Sequence, residues 1–328
     1  MRLTATCLAA LAAASITAGA TELRLSGPFT HDNLSIYLVH GQDRVQKKYL
    51  TLAEALEQHK VVVYETSNVN ILQVENLSAQ DVYIQSGEIV KGGKQDRVLK
   101  YDIIVPSASG KLNVNAFCVE HGRWTQRGNE PARNFAASPN AIASPAMKRA
   151  VKDTGQQTQV WAEAAKAQDS LGGNLHAPVA AAASPSSYQL TLEAPAVKQT
   201  LEAFKKELAG LAENHPDALG YVEAVNGKVT GSDVYGTHEL FRKEWPKLLE
   251  AAAVEAMAAP KLAGKIAPPS MDDVKAAATG YGARVNGESQ VNSRTDGVKA
   301  DLPQGLVYET RDAEAPAAGP VHRTYVSK

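Results

Sequence analysis

The chain has 328 residues, of which 44% are hydrophobic, 21% charged and 6% aromatic, which is enough apolar material for one large domain or two ordinary ones. Disorder along the whole chain is therefore excluded. The 34 Lys and Arg residues balance 35 Asp and Glu residues, for a net charge of -1. Because no excess of positive charge is available to neutralise a nucleic-acid backbone, a general DNA or RNA binder is excluded as well.

The first residues of the chain have the features of an export signal. Arg2 gives a short basic start, an Ala- and Leu-rich run follows, and the stretch from Ala18 to Ala20 supplies small residues at a cleavage site. The alternative is a buried N-terminal helix. We predict a signal peptide at 1–20 and a periplasmic or secreted protein. No integral membrane segment is expected after cleavage, since no later run reaches the ~18 apolar residues that span a bilayer.

This prediction can be checked by mass. Protein recovered from the periplasm or the medium is expected to begin near Thr21, because signal peptidase cuts after small residues of the A-x-A type. Intact-mass spectrometry decides it, with the cytoplasmic fraction of the same culture as the control. A recovered species that keeps residues 1–20 would show that export with cleavage does not occur.

Residues 21–135 are predicted to be β-rich and to carry the candidate site. Thr51 and Glu54 have the spacing of a capping box, which indicates one short helix. Residues 121–135 form a polar loop, long enough to suggest a function. Apolar alternation and turn residues predict strands of a mostly antiparallel sheet at 61–65, 69–75, 82–90, 97–105 and 112–120.

Residues 136–328 are predicted to be helix-rich. An Ala/Pro/Ser stretch at 177–187 indicates a surface connector, and Asn226-Gly227 predicts a hairpin over 221–234. Pro246 would kink its helix or mark the helix start. Spacing near 3.6 residues predicts helices at 146–169, 196–213, 238–257 and 272–278, with late strands at 306–310 and 322–326.

The predicted fold class is therefore α+β. An N-terminal, mostly antiparallel β-sheet region is followed by a helix-rich region that contains a β-hairpin.

Strand parity turns three charged residues toward the apolar faces of the predicted sheet. Arg97 begins one apolar face, while Glu88 and Glu120 each continue another. Because a buried charge without a partner is unfavourable, we predict that Arg97 pairs with Glu88, Glu120 or both, or with a ligand. The alternative is a structural ion cluster that ties three strands together. A β-bulge at Gly87 would shift the parity.

One edge of the predicted sheet collects further polar residues. Two glycines before Lys94 allow backbone amides to approach an anion, and antiparallel strands would bring the turn at 92–97 and the loop at 120–133 together there. In the predicted pocket the lysine and the two arginines would hold the anion. The Gln95 side-chain amide would orient it, and the Trp124 indole would stack on a ring of the ligand. The ligand-binding residues would be Lys94, Gln95, Arg97, Arg123 and Trp124. The alternative is a hairpin turn with solvated lysines.

We expect Lys94→Ala and Arg123→Ala to weaken binding and leave the fold intact, since exposed charges contribute little to stability. If the protein is an enzyme, Glu88 or Glu120 would be the general acid/base of a hydrolytic step, with a pKa raised by burial. Cleavage removes Cys7 and leaves Cys118, so no intramolecular disulfide is expected, and Cys118 is predicted to be a buried inert thiol. We predict no metal site; the sequence identifies neither a cofactor nor an oligomeric state.

Taken together, these motifs resemble the ARG and rhodanese-phosphatase-superfamily-associated protein domain family, a family of unknown function found in prokaryotes. The name looks like a genomic-context label in which ARG denotes ADP-ribosylglycohydrolase, so the resemblance implies a link to ADP-ribose or related nucleotide metabolism. The similar segments are YLTLAEAL at 49–56, GE at 87–88, GGKQDR at 92–97, CVEHGRW at 118–124, and GYVEAVNG at 220–227 before Phe241 and Trp245.

We expect an exported protein that binds or processes a small anionic ligand, nucleotide- or sugar-phosphate-like. The alternative is a non-catalytic structural or protein-interaction module whose charges are satisfied internally. An open cleft that holds Glu88, Arg97 and Glu120 would favour the first hypothesis, and mutual burial without a cavity would favour the second.

Overall fold

The computed structural model describes residues 23–264 and 266–328. The predicted signal peptide at 1–20, including Arg2, Cys7 and the cleavage site near Ala20, lies outside the described residues. Within the described ranges, no helix is both long enough and apolar enough to cross a membrane.

The strands of the described chain are β1 Arg24–His31, β2 Leu34–His40, β3 Leu50–Thr51, β4 Val61–Asn68, β5 Ile71–Asn76, β6 Val82–Ile84, β7 Glu88–Gly92, β8 Arg97–Leu99, β9 Ile103–Val105, β10 Gly110–Cys118, β11 Asn134–Ile142, β12 Ala218–Val225, β13 Lys228–Tyr235, β14 Arg284–Asn292, β15 Thr295–Leu302, β16 Gly305–Asp312 and β17 His322–Ser327.

The α-helices are α1 Leu52–Glu57, α2 Pro145–Arg149, α3 Gln157–Leu175, α4 Tyr188–Leu192, α5 Pro195–Leu208, α6 Leu211–Asn214, α7 His238–Ala258 and α8 Met271–Thr279. A π-helical turn, Ala150–Thr154, joins α2 to α3, and a short 3-10 turn spans Pro316–Ala318.

An eight-stranded antiparallel sheet joins the two ends of the described chain. Its strands pair in the order β1-β2-β12-β13-β17-β16-β15-β14. The β1 and β2 hairpin therefore lies beside a strand far along the chain, since β2 Leu38 is opposite β12 Tyr221. The sheet cannot form until both ends of the chain are in place.

A closed six-stranded barrel and a small three-stranded sheet occupy the part of the chain between these ends. The barrel order is β10-β5-β4-β11-β7-β8, and the small sheet has the order β3-β6-β9. All barrel pairs are antiparallel. Closure removes the free strand edges that an open sheet would expose.

The predicted fold class is wrong in its arrangement of strands, because strands are spread throughout the chain and not concentrated before residue 135. Six of the eight strands of the large sheet, β12 to β17, lie in the region predicted to be helix-rich. Two of these, β14 and β15, escaped prediction because β14 is largely exposed and lacks an apolar alternation. The structure is a β-rich fold with helices packed against it.

Two local predictions are confirmed. The Thr51 hydroxyl accepts from the Glu54 backbone N–H at 3.2 Å while the Glu54 carboxylate accepts from the Thr51 N–H at 2.9 Å, which is a capping box. Asn226 and Gly227 have φ of 52° and 74° and join β12 to β13, as a type I′ turn requires. Both features depend only on residues close in sequence.

The continuous strands predicted at 82–90 and 97–105 are each broken in two. Gly87 has φ of 91° and interrupts the first strand between β6 and β7, a conformation that favours glycine. As a result β6 and β9 pair in the small sheet, whereas β7 and β8 pair in the barrel. Side-chain parity therefore cannot be followed through either predicted strand.

The largest apolar core surrounds α7. Trp245 and Phe241 are buried and lie against Tyr221, with ring centroids 5.3 and 6.5 Å from the tyrosine ring. Thr237 caps the helix, because its side chain accepts from the Leu240 N–H at 3.2 Å. Pro246 is inside the helix and does not mark its start. The helix thus links the large sheet to the barrel strand β11.

Candidate functional site

The two predicted segments, the turn at 92–97 and the loop at 120–133, do meet. The Gly93 N–H donates to the Pro131 carbonyl at 2.9 Å, and the Gln95 amide donates to the Glu120 carbonyl at 3.2 Å. Gly93 has φ of 56°, and a Cβ there would lie 2.4 Å from the Phe135 ring. Glycine is required for this approach.

The Glu120 carboxylate is fully occupied by groups of its own chain. It is completely buried and accepts from Arg123 Nε at 3.0 Å, from the Asp96 N–H at 2.6 Å and from the Ser184 hydroxyl at 2.5 Å. Burial acts to raise the pKa of Glu120, but the hydrogen bonds from Arg123 and Ser184 outweigh it, so its pKa is lowered. The expected raised pKa is wrong for this residue.

Sequence reasoning missed Asp96, the second buried carboxylate here. The two Arg127 Nη atoms each lie 2.9 Å from an Asp96 oxygen, a bidentate pair, and the Ser187 hydroxyl donates to Asp96 at 3.1 Å. Ser184 and Ser187 come from the stretch predicted as a surface connector, yet both are buried. The Glu120 cluster comprises Asp96, Glu120, Arg123, Arg127, Ser184 and Ser187.

The hydrogen bonds within the Glu120 cluster change the expectation for Arg123. Its side chain is only 9% exposed and bonds to buried Glu120. Removing a partner from a buried carboxylate is destabilising. The expectation that Arg123→Ala leaves the fold intact therefore conflicts with the burial of this side chain.

Arg97 is buried as predicted, but the predicted pairing with Glu88 or Glu120 is wrong. Its Nη2 lies 3.4 Å from Glu65 Oε2, and its Nη1 donates to the Gln95 carbonyl at 2.8 Å. Glu65 is on β4 and Arg97 on β8, which are not neighbours in the barrel, so this contact crosses the barrel. Strand parity identifies a face and carries no information about contacts made across a barrel.

Trp124 lies on the outer side of the Arg97–Glu65 ion pair. Its ring centroid is 5.4 Å from the Arg97 guanidinium and 5.2 Å from Lys94 Nζ, and 39% of the residue is exposed. The Lys94 N–H donates to Glu65 at 3.1 Å. The five predicted ligand-binding residues thus lie together, with Arg97, Gln95 and Arg123 already bonded within the chain.

Glu88 belongs to a different cluster, beneath α7. Its carboxylate lies 3.2 Å from Lys247 Nζ, which is also 2.8 Å from Glu244. All three are buried. Burial raises the pKa of Glu88 to about 7, against the attraction of Lys247. Of the two predicted acid/base carboxylates, only Glu88 has a raised pKa, and α7 rather than a ligand supplies its partner.

The raised pKa of Glu88 predicts a pH effect on stability. A carboxyl group with a folded pKa above its unfolded value of 4.5 contributes stability below pH 4.5, and this is lost as the pH rises through about 7. Glu88→Gln cannot ionise, so its melting temperature should fall less than that of the wild type between pH 5 and 8. Differential scanning calorimetry measures this, and an equal fall in both proteins would contradict the prediction.

A third polar group, the His322 cluster, was not predicted at all. His322 is 1% exposed, with Nδ1 2.9 Å from Asp102 and Nε2 3.0 Å from Asp233, and Lys148 Nζ lies 2.8 Å from Asp233. Burial acts to lower the pKa of His322, but the two carboxylates raise it above its usual value. The His322 cluster comprises Asp102, Lys148, Asp233 and His322.

A cavity of about 240 Å³ adjoins the His322 cluster. Lys152, which lines it, lies in the π-helical turn with Nζ 4.6 Å from the Tyr308 ring centroid. Among the described residues the Lys152 ammonium has no hydrogen-bond or ion-pair partner. Other residues that line the Lys152 cavity are Tyr101, Asp102, Tyr308, Glu309 and Thr310.

The electrostatics around Lys152 are unusual for a lysine. Burial lowers the pKa of Lys152; Asp102 opposes this, and Lys148 and Lys100 add to the lowering. In contrast, in a cavity of about 190 Å³ elsewhere, Lys91 is paired with Glu193 at 2.7 Å. Single π-helical turns within helices are frequent at functional sites. An ammonium without a direct ion pair makes the Lys152 cavity the best candidate site in the described structure.

No sequence signal identified this site. Lys148 and Lys152 fall inside a segment predicted as one α-helix, Asp102 inside one predicted strand, and His322 in a late strand without metal-ligand spacing. The π-helical turn at Ala150–Thr154 leaves no recognisable pattern in this sequence. Cys118, by contrast, is buried as predicted, and burial raises its pKa to about 11, so it is an inert thiol at neutral pH.

Comparison with known proteins returned one family. The model of the ARG and Rhodanese-Phosphatase-superfamily-associated Protein domain matches residues 22–313. Neither the curated proteins nor the solved structures gave a match.

Proposed function

The chain belongs to the ARG and Rhodanese-Phosphatase-superfamily-associated Protein domain family, whose name assigns no reaction, and from the geometry we propose that the protein binds a small anionic ligand in the Lys152 cavity. The observation that carries this proposal is the partly buried Lys152 ammonium on the cavity wall, which makes no direct ion pair among the described residues and shares the attraction of Asp102 with His322. We also propose that binding takes place outside the cytoplasm, as the signal peptide expected at 1–20 implies.

The local charge balance favours an anion. Lys152 shares the Asp102 carboxylate with His322, and Lys100 adds a further positive charge nearby. Two more carboxylates line the cavity: Glu309 is bonded to Arg311 and Arg323, and Glu288 is exposed. Asp102 is already bonded to His322 and to the Thr310 hydroxyl at 2.7 Å. A bound carboxylate or phosphate would supply the missing negative charge and remove the penalty that Lys152 bears in the empty state.

The size of the Lys152 cavity restricts the ligand further. Its volume of about 240 Å³ is below the ~300–1,000 Å³ of pockets that hold drug-sized ligands. The buried Tyr308 hydroxyl has no hydrogen-bond partner among the described residues, which makes it a donor available for a ligand oxygen after a small adjustment. A small carboxylate or phosphate monoester therefore fits better than a dinucleotide.

A thermal-shift experiment tests the proposal. Inorganic phosphate, ribose 5-phosphate, pyruvate and lactate are compared with chloride at equal ionic strength. At 100 times the dissociation constant, a ligand adds about 2.7 kcal/mol of stability, so at least one of these anions should raise the melting temperature. Lys152→Met should abolish the increase because the ammonium is lost.

Lys91→Met is the matched control, since Lys91 lines the other cavity and is paired with Glu193. It should keep the full increase relative to its own ligand-free melting temperature. The proposal fails if no anion stabilises the wild type beyond chloride, or if Lys152→Met retains the whole effect.

A second candidate function rests on the Glu120 cluster. Its carboxylates and guanidinium groups are buried and bonded to one another, which is the arrangement expected of a non-catalytic structural or protein-interaction module. This candidate assigns no acid/base role to Glu120 or to Glu88, because each is bonded to a cation of its own chain. Failure of every anion in the thermal-shift experiment would favour it.

A further inference from the structure

We infer that Lys152 is a nucleophilic amine that forms an imine with a carbonyl-bearing anion, such as a small 2-oxo acid, in the Lys152 cavity. The inference deepens the proposed function and rests on it. Its geometric basis is a primary amine that lines a small cavity, packs on an aromatic ring and makes no direct ion pair among the described residues, although the Asp102 carboxylate lines the same cavity.

The neighbouring lysines differ from Lys152 in this respect. Lys148 is bonded to Asp233 at 2.8 Å, and Lys299, which also lines the cavity, is bonded to Asp153 at 2.9 Å. A carboxylate in direct contact holds a lysine as an ammonium, which is not a nucleophile. Lys152 alone of these three lacks such a contact in the described part of the chain.

The surroundings of Lys152 make its ammonium easier to deprotonate, and the reaction needs the neutral amine. Burial and the positive charges of Lys148 and Lys100 lower the pKa of Lys152, and Asp102 opposes them. A lysine desolvated beside other cations is the usual arrangement of an imine-forming amine. The anionic group of the same ligand would be attracted by these cations, which would place its carbonyl carbon near Nζ.

The step balances without an outside reagent. The Lys152 ammonium releases one proton and becomes an amine, which attacks the carbonyl carbon and forms a C–N bond. The carbonyl oxygen takes that proton and one more from the nitrogen of the addition product and leaves as water, so that one N–H remains. Ammonium plus carbonyl thus give iminium plus water, with no change in net charge.

Reductive trapping tests the inference. The full chain is incubated with pyruvate and sodium cyanoborohydride, and tryptic peptides are analysed by mass spectrometry. We expect an adduct equal in mass to the ligand less one oxygen atom, located at Lys152 and formed at neutral pH, where exposed Lys206 reacts at least tenfold less. Lys152→Arg should lose this adduct because a guanidinium does not form it, and Lys91→Arg should retain it.

Three results separate this inference from the proposed function. Adducts spread over exposed lysines with none enriched at Lys152 would overturn the inference. If pyruvate and its hydroxyl analogue lactate both raise the melting temperature through Lys152 but no adduct forms, binding stands and imine formation is rejected. If neither anion binds and no adduct forms, both are rejected. Should Lys152→Arg fail to fold, the peptide map of the wild type decides alone.

Discussion

Replacing Arg127 with methionine is expected to lower the free energy of unfolding by about 3–5 kcal/mol, the usual effect of removing one partner from a buried ion pair. Arg127 makes two 2.9 Å bonds to Asp96 and lies 3.4 Å from Glu120. Both carboxylates are completely buried, so the variant leaves negative charge in the interior without its cation. Urea unfolding at pH 7 measures the difference.

Arg133→Met is the matched control, because Arg133 belongs to the same loop and is exposed. Its effect should stay within about 0.5 kcal/mol, as for most surface substitutions. Arg127→Lys should recover only part of the loss, since a single ammonium cannot reproduce the bidentate geometry. Equal stability of Arg127→Met and Arg133→Met would mean that the Glu120 cluster does not stabilise the fold.

Asp233→Asn is expected to destabilise the protein by a similar amount, about 3–5 kcal/mol. Asp233 accepts from Lys148 at 2.8 Å and from His322 at 3.0 Å, and it is 2% exposed. The substitution leaves two cationic groups in the interior with one carboxylate fewer. Thermal and urea unfolding measure the loss. Because the asparagine amide is isosteric with the carboxylate, the loss does not come from a change in side-chain volume.

The same cluster predicts the pH dependence of stability. Burial acts to raise the pKa of Asp233, but Lys148 and His322 lower it to about 2 from 3.8, so its contribution is present above pH 3.8 and lost as the pH falls toward 2. The pKa of His322 is raised above 6.5, so its contribution is present below pH 6.5 and lost as the pH rises through the folded value.

Stability from this cluster should therefore be greatest between about pH 4 and 6.5. His322→Gln should remove the alkaline part of the decline, because glutamine does not titrate. His59→Asn is the control: His59 is exposed with φ of 54°, a conformation that asparagine tolerates. An unchanged alkaline decline in His322→Gln would show that His322 is not the titrating group.

Sequence reasoning succeeded where structure depends on residues close along the chain. The capping box of Thr51 and Glu54 and the Asn226-Gly227 turn both follow from bonds and φ angles within four residues. The helices predicted at 238–257 and 272–278 also occur, because the apolar spacing near 3.6 residues is a property of each segment alone. The single helix predicted at 196–213 is divided into α5 and α6. Arg97 and Glu120 are buried as predicted, but every residue of β8 is buried and Glu120 lies beyond the end of β10, so the two-residue period of a strand does not account for their burial.

Only the tertiary structure decided which groups meet. Arg97 lies beside Glu65, Glu88 beside Lys247 and Glu120 beside Ser184, contacts that span 32, 159 and 64 residues of the chain. A strand's period shows which side chains share a face, but the partner on that face depends on strand order and barrel closure, which no local pattern encodes. The π-turn that holds Lys152 depends in the same way on packing around it, so the candidate site emerged from the fold and not from a motif.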